Sequence, residues 1–347
     1  MPRLLRRAPR LLGAAGALTA LALAVTACSS GSQPAAPSSG QAADGAFPVT
    51  VAHAFGTTEI AAAPTRIATV GWGSEDVAVA LGQVPVNMPK ALFGDDNGDG
   101  YLPWTYDAVT KAGAQLPELH DETDGIPYEA ISAATPDLIL GTNSGLDEQQ
   151  YTTLGKIAPT VAYPGTPWGT GWRDSTRLVG QSLGKPAEAE QLIADTEAKM
   201  AETMKAYPAV AGKTVMVMWV DAKDPAKISY YTPNDTRVRY LQDLGFTLAP
   251  NIVTLSQGND QFVGEIGAEQ ADQLNADVAV IYVSGGDLST LQNDPLLSRI
   301  PAVARGSVVM LDNETETMAV SAPTVLSIPW ALPGYAQRLG EAAAKVG

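Results

Sequence analysis

At 347 residues the chain is long enough for one large or two medium cores, and 45% hydrophobic against 17% charged content excludes a disordered chain. A formal charge of −15 argues against nucleic acid or an anionic lipid surface as a partner held by charge. With Cys28 the only cysteine, no disulfide forms within the chain, so stability must come from packing.

In chain order, Arg3, Arg6, Arg7 and Arg10 precede an apolar stretch from Leu11 to Val25, the order of a secretory signal peptide over residues 1–27. The following "VTAC" is similar to the bacterial lipobox, whose cysteine becomes the new N-terminus and carries lipid. Cys28 is therefore expected to anchor the protein at the outer face of the cell membrane without a spanning helix; the bland alternative is an ordinary signal with an incidental cysteine. Loss of the leader takes four arginines and moves the formal charge from −15 to −19. Residues 28–46, mostly Ser, Gly, Pro, Ala and Gln, read as a flexible tether. No later stretch is long and apolar enough to cross a bilayer.

From Phe47 onward short β-rich runs alternate with helical patterns: "RIATV" with "SEDVAVALG", "YEAISAATP" with "DLILG", "DEQQYTTLGKIA" with "PTVAY". Such alternation predicts α/β architecture with mostly parallel sheets. The second half repeats it in "TVMVMWV", "TRVRYLQDLG", "AEQADQLNA", "DVAVIYV" and "SVVML". Between the halves, Ala189, Leu192, Ile193, Thr196, Met200, Met204 and Tyr207 fall at helical spacing, with Pro186 suited to a first turn. These boundaries divide the chain into a lobe at 47–184, a bridging helix at 185–208 and a lobe at 209–347. A weak internal repeat joins the halves: Glu129 and Glu269 each lie eight residues before an aspartate, Asp137 or Asp277, that opens an apolar strand.

The run "DDNGDG" at 95–100 copies the start of an EF-hand loop, but position twelve is Tyr106 instead of a bidentate Glu. A solvated turn explains the same letters.

The lipobox, "APTRIATVGWGSEDVAVALGQVPV", "YEAISAATPDLILGTNSGLDEQQYTTLGKIAPTVAY", the bridging helix, "YLQDLGFTLAP" and "DPLLSRIPAVARGSVVMLD" occur in an order that resembles the iron-siderophore substrate-binding lipoproteins of bacterial ABC importers, particularly the actinobacterial kind. The resemblance implies two α/β lobes on one long backbone helix with the ligand in the cleft between them, and little movement on closing. It implies a monomeric binding protein that is not an enzyme, that has no cofactor of its own, and that delivers a ferric siderophore to an ABC permease and its ATPase. It also implies that Glu129 and Glu269 dock to permease arginines; two solvated acids in first helical turns would look the same in sequence.

A ferric siderophore brings iron with its oxygens already coordinated, so no direct metal ligand is expected. The pocket then needs aromatic walls and a few polar groups. In α/β lobes ligands meet the loops at the carboxyl ends of strands. That rule selects Trp72, Asn143 and Ser144, Trp168 and Trp219, although each tryptophan could equally be core. Trp104 and Tyr106, with Tyr101, are expected to shape the rim. Tyr230, Tyr231 and Arg237 sit where the family presents ligand contacts; Arg237 alternatively pairs with Asp235. Trp330, between two prolines, reads as helix-entry packing.

Rival functions fare less well. His53 and His120 lie far apart and no "GxSxG" occurs, which leaves a Ser-His-Asp hydrolase little support. "GKT" at 212–214 lacks the first glycine of a phosphate loop, since position 207 is Tyr207. Two distant histidines do not suit a zinc or manganese receptor. Glycosidase chemistry stays open on acid counts alone. Haem or cobalamin capture by the same architecture is the serious alternative. Few candidate cleft arginines favour a neutral or weakly charged hydroxamate over a triply charged catecholate.

Overall fold

The computed structural model describes residues 45–346; the leader, Cys28 and nearly all of the tether lie outside the described residues. Chain order opens with a hairpin of β1 (Val49–His53) and β2 (Gly56–Ile60). Five parallel strands follow: β3 (Ile67–Thr69), β4 (Asn87–Pro89), β5 (Glu118–His120), β6 (Leu138–Gly141) and β7 (Thr160–Ala162), in sheet order β5-β4-β3-β6-β7. The order reverses direction between β3 and β6, the place where loops diverge and leave a crevice. Helices α1 (Ser74–Ala80), α2 (Pro103–Lys111), α3 (Tyr128–Ala133), α4 (Glu148–Leu154) and α5 (Trp172–Ser182) alternate with these strands.

Helix α6 (Pro186–Met204) then runs 19 residues, roughly 28 Å at 1.5 Å per residue. Pro186 occupies the first turn, where its missing N–H costs nothing. Its buried face is Ala189, Ile193, Thr196 and Met200, the spacing read from sequence.

The second sheet is mixed. Strands β8 (Thr214–Asp221), β12 (Val278–Ser284) and β13 (Val308–Met310) are parallel neighbours, and short β10 (Thr247–Leu248) pairs with the start of β8. Strand β9 (Lys227–Tyr231) is antiparallel to β8, and β11 (Val263–Gly267) is antiparallel to β9. Around it lie α7 (Thr236–Asp243), α8 (Pro250–Leu255), α9 (Leu288–Asn293), α10 (Pro301–Arg305), α11 (Glu314–Ser321) and α12 (Ser327–Ala343). The carboxy-terminal segment packs on this sheet and also reaches the first lobe. Thr324 bonds Asp76 of α1, and the Trp330 ring of α12 lies 5.3 Å from that of Trp104 of α2, tilted by 57°.

The weak repeat has a physical counterpart. Asp137 accepts the N–H and the hydroxyl of Thr65, both over 2.8 Å, just before β6 and β3 begin side by side. Asp277 does the same for Thr214 at the start of β12 and β8, over 2.8 and 2.9 Å. Each carboxylate fixes the register of two adjacent strands at their amino ends.

Two expectations change. "AEQADQLNA" forms a 3-10 turn, Ala268–Gln273, because Ala268, Ala271 and Leu274 are buried at a spacing of three, the period of that helix. "YLPWTYD", whose rings were expected to shape the rim, is the entry to α2, with Pro103 in its first turn.

Candidate functional site

The loop after β3 carries Trp72 between two glycines of positive φ, Gly71 at 75° and Gly73 at 83°. A Cβ on Gly71 would lie 2.6 Å from the Asn143 carbonyl oxygen and 2.7 Å from the Ser144 Cβ, so the β3 and β6 loops approach as closely as they do only with glycine there. Three successive amides of this loop are all satisfied: Gly71 N donates to Glu122 (3.2 Å), Trp72 N to the Asn143 carbonyl (3.0 Å) and Gly73 N to Glu75 (3.0 Å). The indole so held is 42% exposed, unusual for tryptophan. Beside it, at 4.9 Å and tilted 49°, lies Trp168, whose own N–H donates to the Ser144 carbonyl from a left-handed φ of 57°.

The opposite wall comes from the second sheet, where residues paired across strands share a face. Trp219 on β8 is opposite Tyr282 on β12 and Ser229 on β9, which puts Tyr231, two residues on from Ser229, on the same face. At the start of α7, Arg237 lies over the Tyr231 ring at 4.1 Å, and its Nη1 donates to Asp235 over 3.1 Å. The two readings of Arg237 are thus compatible: one guanidinium pairs with a buried acid and still lines the cleft. Burial pushes the Asp235 carboxyl upward while the charge of Arg237 pulls it back. Burial also raises the Tyr231 hydroxyl.

Between these walls is a cavity of about 290 Å³ lined by Trp72, Phe93, Trp219, Tyr231, Arg237 and Tyr282 among others. A second space of about 160 Å³ continues past Trp72 to Asn143, Trp168, Asp235 and Phe262. A third, about 120 Å³, opens on the other side of Trp72 towards Glu75, Lys90 and Glu122. Trp72 borders all three. A larger hollow of about 360 Å³ lies at Arg66, Val86 and Glu118, near the amino ends of the first sheet and away from the aromatic cleft.

Of the residues expected at the site, Trp72, Asn143, Trp168, Trp219, Tyr231 and Arg237 line these connected spaces. Four do not. Trp104 is 4% exposed, its Nε1 donating to Asp76, because α2 turns its apolar side inward. Tyr230, alternating with Tyr231, faces the other side of β9 and donates its hydroxyl to the Leu255 carbonyl. Ser144 is a buried turn former donating to the Gly141 carbonyl. Tyr106 borders none of the three spaces and lies 6.2 Å from the ring of Tyr101. Sequence reading missed Phe93, Phe262 and Tyr282. Only Tyr282 had a usable signal, near the end of "DVAVIYV" like Trp219 in "TVMVMWV".

Asp95 of "DDNGDG" accepts the amides of Asn97, Gly98 and Gly100, which holds its carboxyl below the usual range. Among the described residues no three His, Cys, Asp or Glu side chains converge as a metal site. Glu129 and Glu269 are both exposed in the first turns of their helices.

Two sheets whose aromatic ends face each other across a cleft, carried by one long helix, define a two-lobed substrate-binding receptor. The chain belongs to the periplasmic binding protein family, whose pattern matches residues 67–315. It is 29% identical over 241 residues to the probable siderophore-binding lipoprotein YfiY of Bacillus subtilis (strain 168), covering 69% of this chain and 70% of that one. It is 28% identical over 197 residues to the ferric enterobactin-binding periplasmic protein FepB of Escherichia coli O6:H1, covering 54% and 60%. The crystal structure of PiaA from Streptococcus pneumoniae TIGR4 in complex with ferrichrome superposes with a TM-score of 0.81 at 38% identity, covering 86% of this chain and all of that one.

Proposed function

We propose that this protein is an extracytoplasmic receptor that binds a ferric siderophore in the aromatic cleft and delivers it to an ABC permease and its ATPase for iron uptake. The observation that carries the reading is the convergence of Trp72, Trp168, Trp219, Tyr231 and Arg237 from both lobes on two neighbouring spaces that share Trp72 and Arg237. Rings suit the apolar skirt of a chelate, and a guanidinium suits its outward oxygens. The similarity to PiaA, whose structure holds ferrichrome, points to the same ligand class. The protein acts as a binder and not as an enzyme, works as a monomer, and is held at the membrane by lipid on Cys28. Glu129 and Glu269, exposed on different lobes, are the groups that meet the permease. A hydroxamate fits better than a triply charged catecholate, because Arg237 is the only arginine lining the three spaces.

Histidine-ligated haem is less well served. His53 and His120 are both buried and border none of these spaces, so neither offers an axial ligand. Tryptophan-fluorescence titration with ferrichrome, a ferric catecholate, haem and cobalamin tests the reading. Saturable quenching by an iron chelate is expected; response to haem or cobalamin alone overturns it.

A further inference from the structure

The space of about 120 Å³ beside Trp72 shares Trp72, Phe93 and Met318 with the main cavity but differs in its chemistry. Leu92, Leu102, Met88 and Phe93 give it apolar walls, and two carboxyl groups, Glu75 and Glu122, close it. Glu75 is 5% exposed; its Oε1 accepts from Gly73 N, while its Oε2 has no hydrogen-bond partner. An unpaired carboxyl oxygen buried at the wall of a ligand cleft is costly unless something arrives to meet it.

The neighbours say what that something is. Asp76, next in the chain, is pushed upward by burial, but it accepts from Thr105 Oγ1 (2.5 Å), Thr324 Oγ1 (2.6 Å) and Trp104 Nε1 (2.7 Å), three bonds that pull it back towards the ionised form. Glu122 accepts from Gly71 N and contacts His120 Nε2 over 3.1 Å. His120 is turned by Asn87, whose Nδ2 donates to the Glu118 carbonyl and therefore presents Oδ1 to His120 Nδ1. Lys90 also lines the space, yet among the described residues it forms no ion pair with either carboxyl. Burial, then the charge of Asp76 and more weakly that of Glu122, pushes the Glu75 carboxyl up to about 8, against the two amide bonds it receives. Empty, the site neutralises itself with a proton.

We propose that this space is a cation subsite of the ligand cleft, in which Glu75 and Glu122 receive the ammonium end of an amine-bearing ferric hydroxamate. The inference rests on the siderophore reading above. An ammonium supplies donors for the free Oε2 of Glu75 and for Glu122, and its charge takes the place of the proton, which leaves to solvent. The chelate core occupies the larger cavity against Trp219, Tyr231 and Arg237, and the narrow apolar sleeve takes the alkyl arm.

The test compares, in the whole protein at pH 7, affinity for ferrioxamine B, a trihydroxamate ending in a primary amine, with affinity for its N-acetylated form and for ferrichrome. The free amine is expected to bind about tenfold tighter than the acetylated chelate, roughly the discrimination of one charge-assisted hydrogen bond. In Glu75→Gln, and in Glu122→Gln should the first variant fail to fold, the ratio of the two affinities should fall towards one. A ratio of one or below in the unaltered protein, or a ratio that survives in both variants, overturns the subsite. Ferrichrome separates the two conclusions: if it binds while the amine confers nothing, only the subsite fails. If no iron chelate binds, both readings fall.

Discussion

The hydroxyl of Thr324 donates to the Oδ2 of Asp76 over 2.6 Å, across 248 positions of sequence. Through this bond the segment entering the last helix is tied to the first helix of the amino-terminal lobe, directly beneath the Trp72 loop. Asp76→Ala would leave Trp104 Nε1 and two threonine hydroxyls without their acceptor. A loss of about 3 kcal/mol or more is expected, since a buried acceptor is removed and its three donors stay buried. Urea denaturation measures it, and Asp76→Asn should lose less. An unchanged midpoint would show that the tie contributes nothing.

Stability should also depend on Glu75 with a definite sign. Its carboxyl is raised from 4.5 to about 8 on folding, chiefly by burial. The stabilisation is complete below about pH 4.5 and is lost as pH rises through about 8, with a slope of at most about 1.4 kcal/mol per pH unit from this group. Glu75→Gln should flatten the urea midpoint against pH between 5 and 8. Parallel curves for the two proteins would contradict this assignment.

Trp72→Ala should weaken ferrichrome capture about tenfold or more while leaving thermal stability nearly unchanged, because the ring is largely outside the core. Trp219→Ala should also weaken capture, with a larger stability loss, as its ring is partly buried on β8. Isothermal titration and thermal melts separate the two effects. Unaltered affinity in both variants removes these rings from the binding surface.

Arg237→Ala should lower both affinity and stability. It takes away a guanidinium from the cleft and leaves Asp235, itself buried, without its charged partner. Arg237→Lys, which keeps the charge but not the planar fork, should retain stability better than affinity. Equal losses in the two measurements would instead make the arginine a structural residue alone.

Reversing charge in Glu129→Arg with Glu269→Arg should abolish iron-chelate uptake by cells and leave the fluorescence titration of the purified protein intact. Normal uptake would refute the docking role.

The sequence was legible where one period dominated. Helix α6 shows its buried stripe at 3.6-residue spacing, and "TVMVMWV" and "DVAVIYV" show strands apolar on both faces. Ring placement was legible only where strand ends dictated it, as at Trp72 and Trp219. Tyr230 and Tyr231 illustrate the limit: adjacent, chemically identical, and on opposite faces because register decides. Trp104 sits in the core and not at the rim because Pro103 starts α2, which turns that indole inward onto Asp76. Phe93 and Phe262 come from irregular segments whose course no local pattern sets. Nothing in "SEDVAVA" announced that two adjacent acids would both be buried, one satisfied by three donors and one left open.

The paired aspartate clasps, Asp137 on Thr65 and Asp277 on Thr214, sit at the amino ends of the strands, whereas the rings cluster at the opposite ends. Register and recognition are therefore set at opposite ends of the same strands. Swapping an indole for another side chain on the upper loops leaves the strand registers alone, so a lineage can change its cargo by one or two substitutions without first having to relearn how to fold.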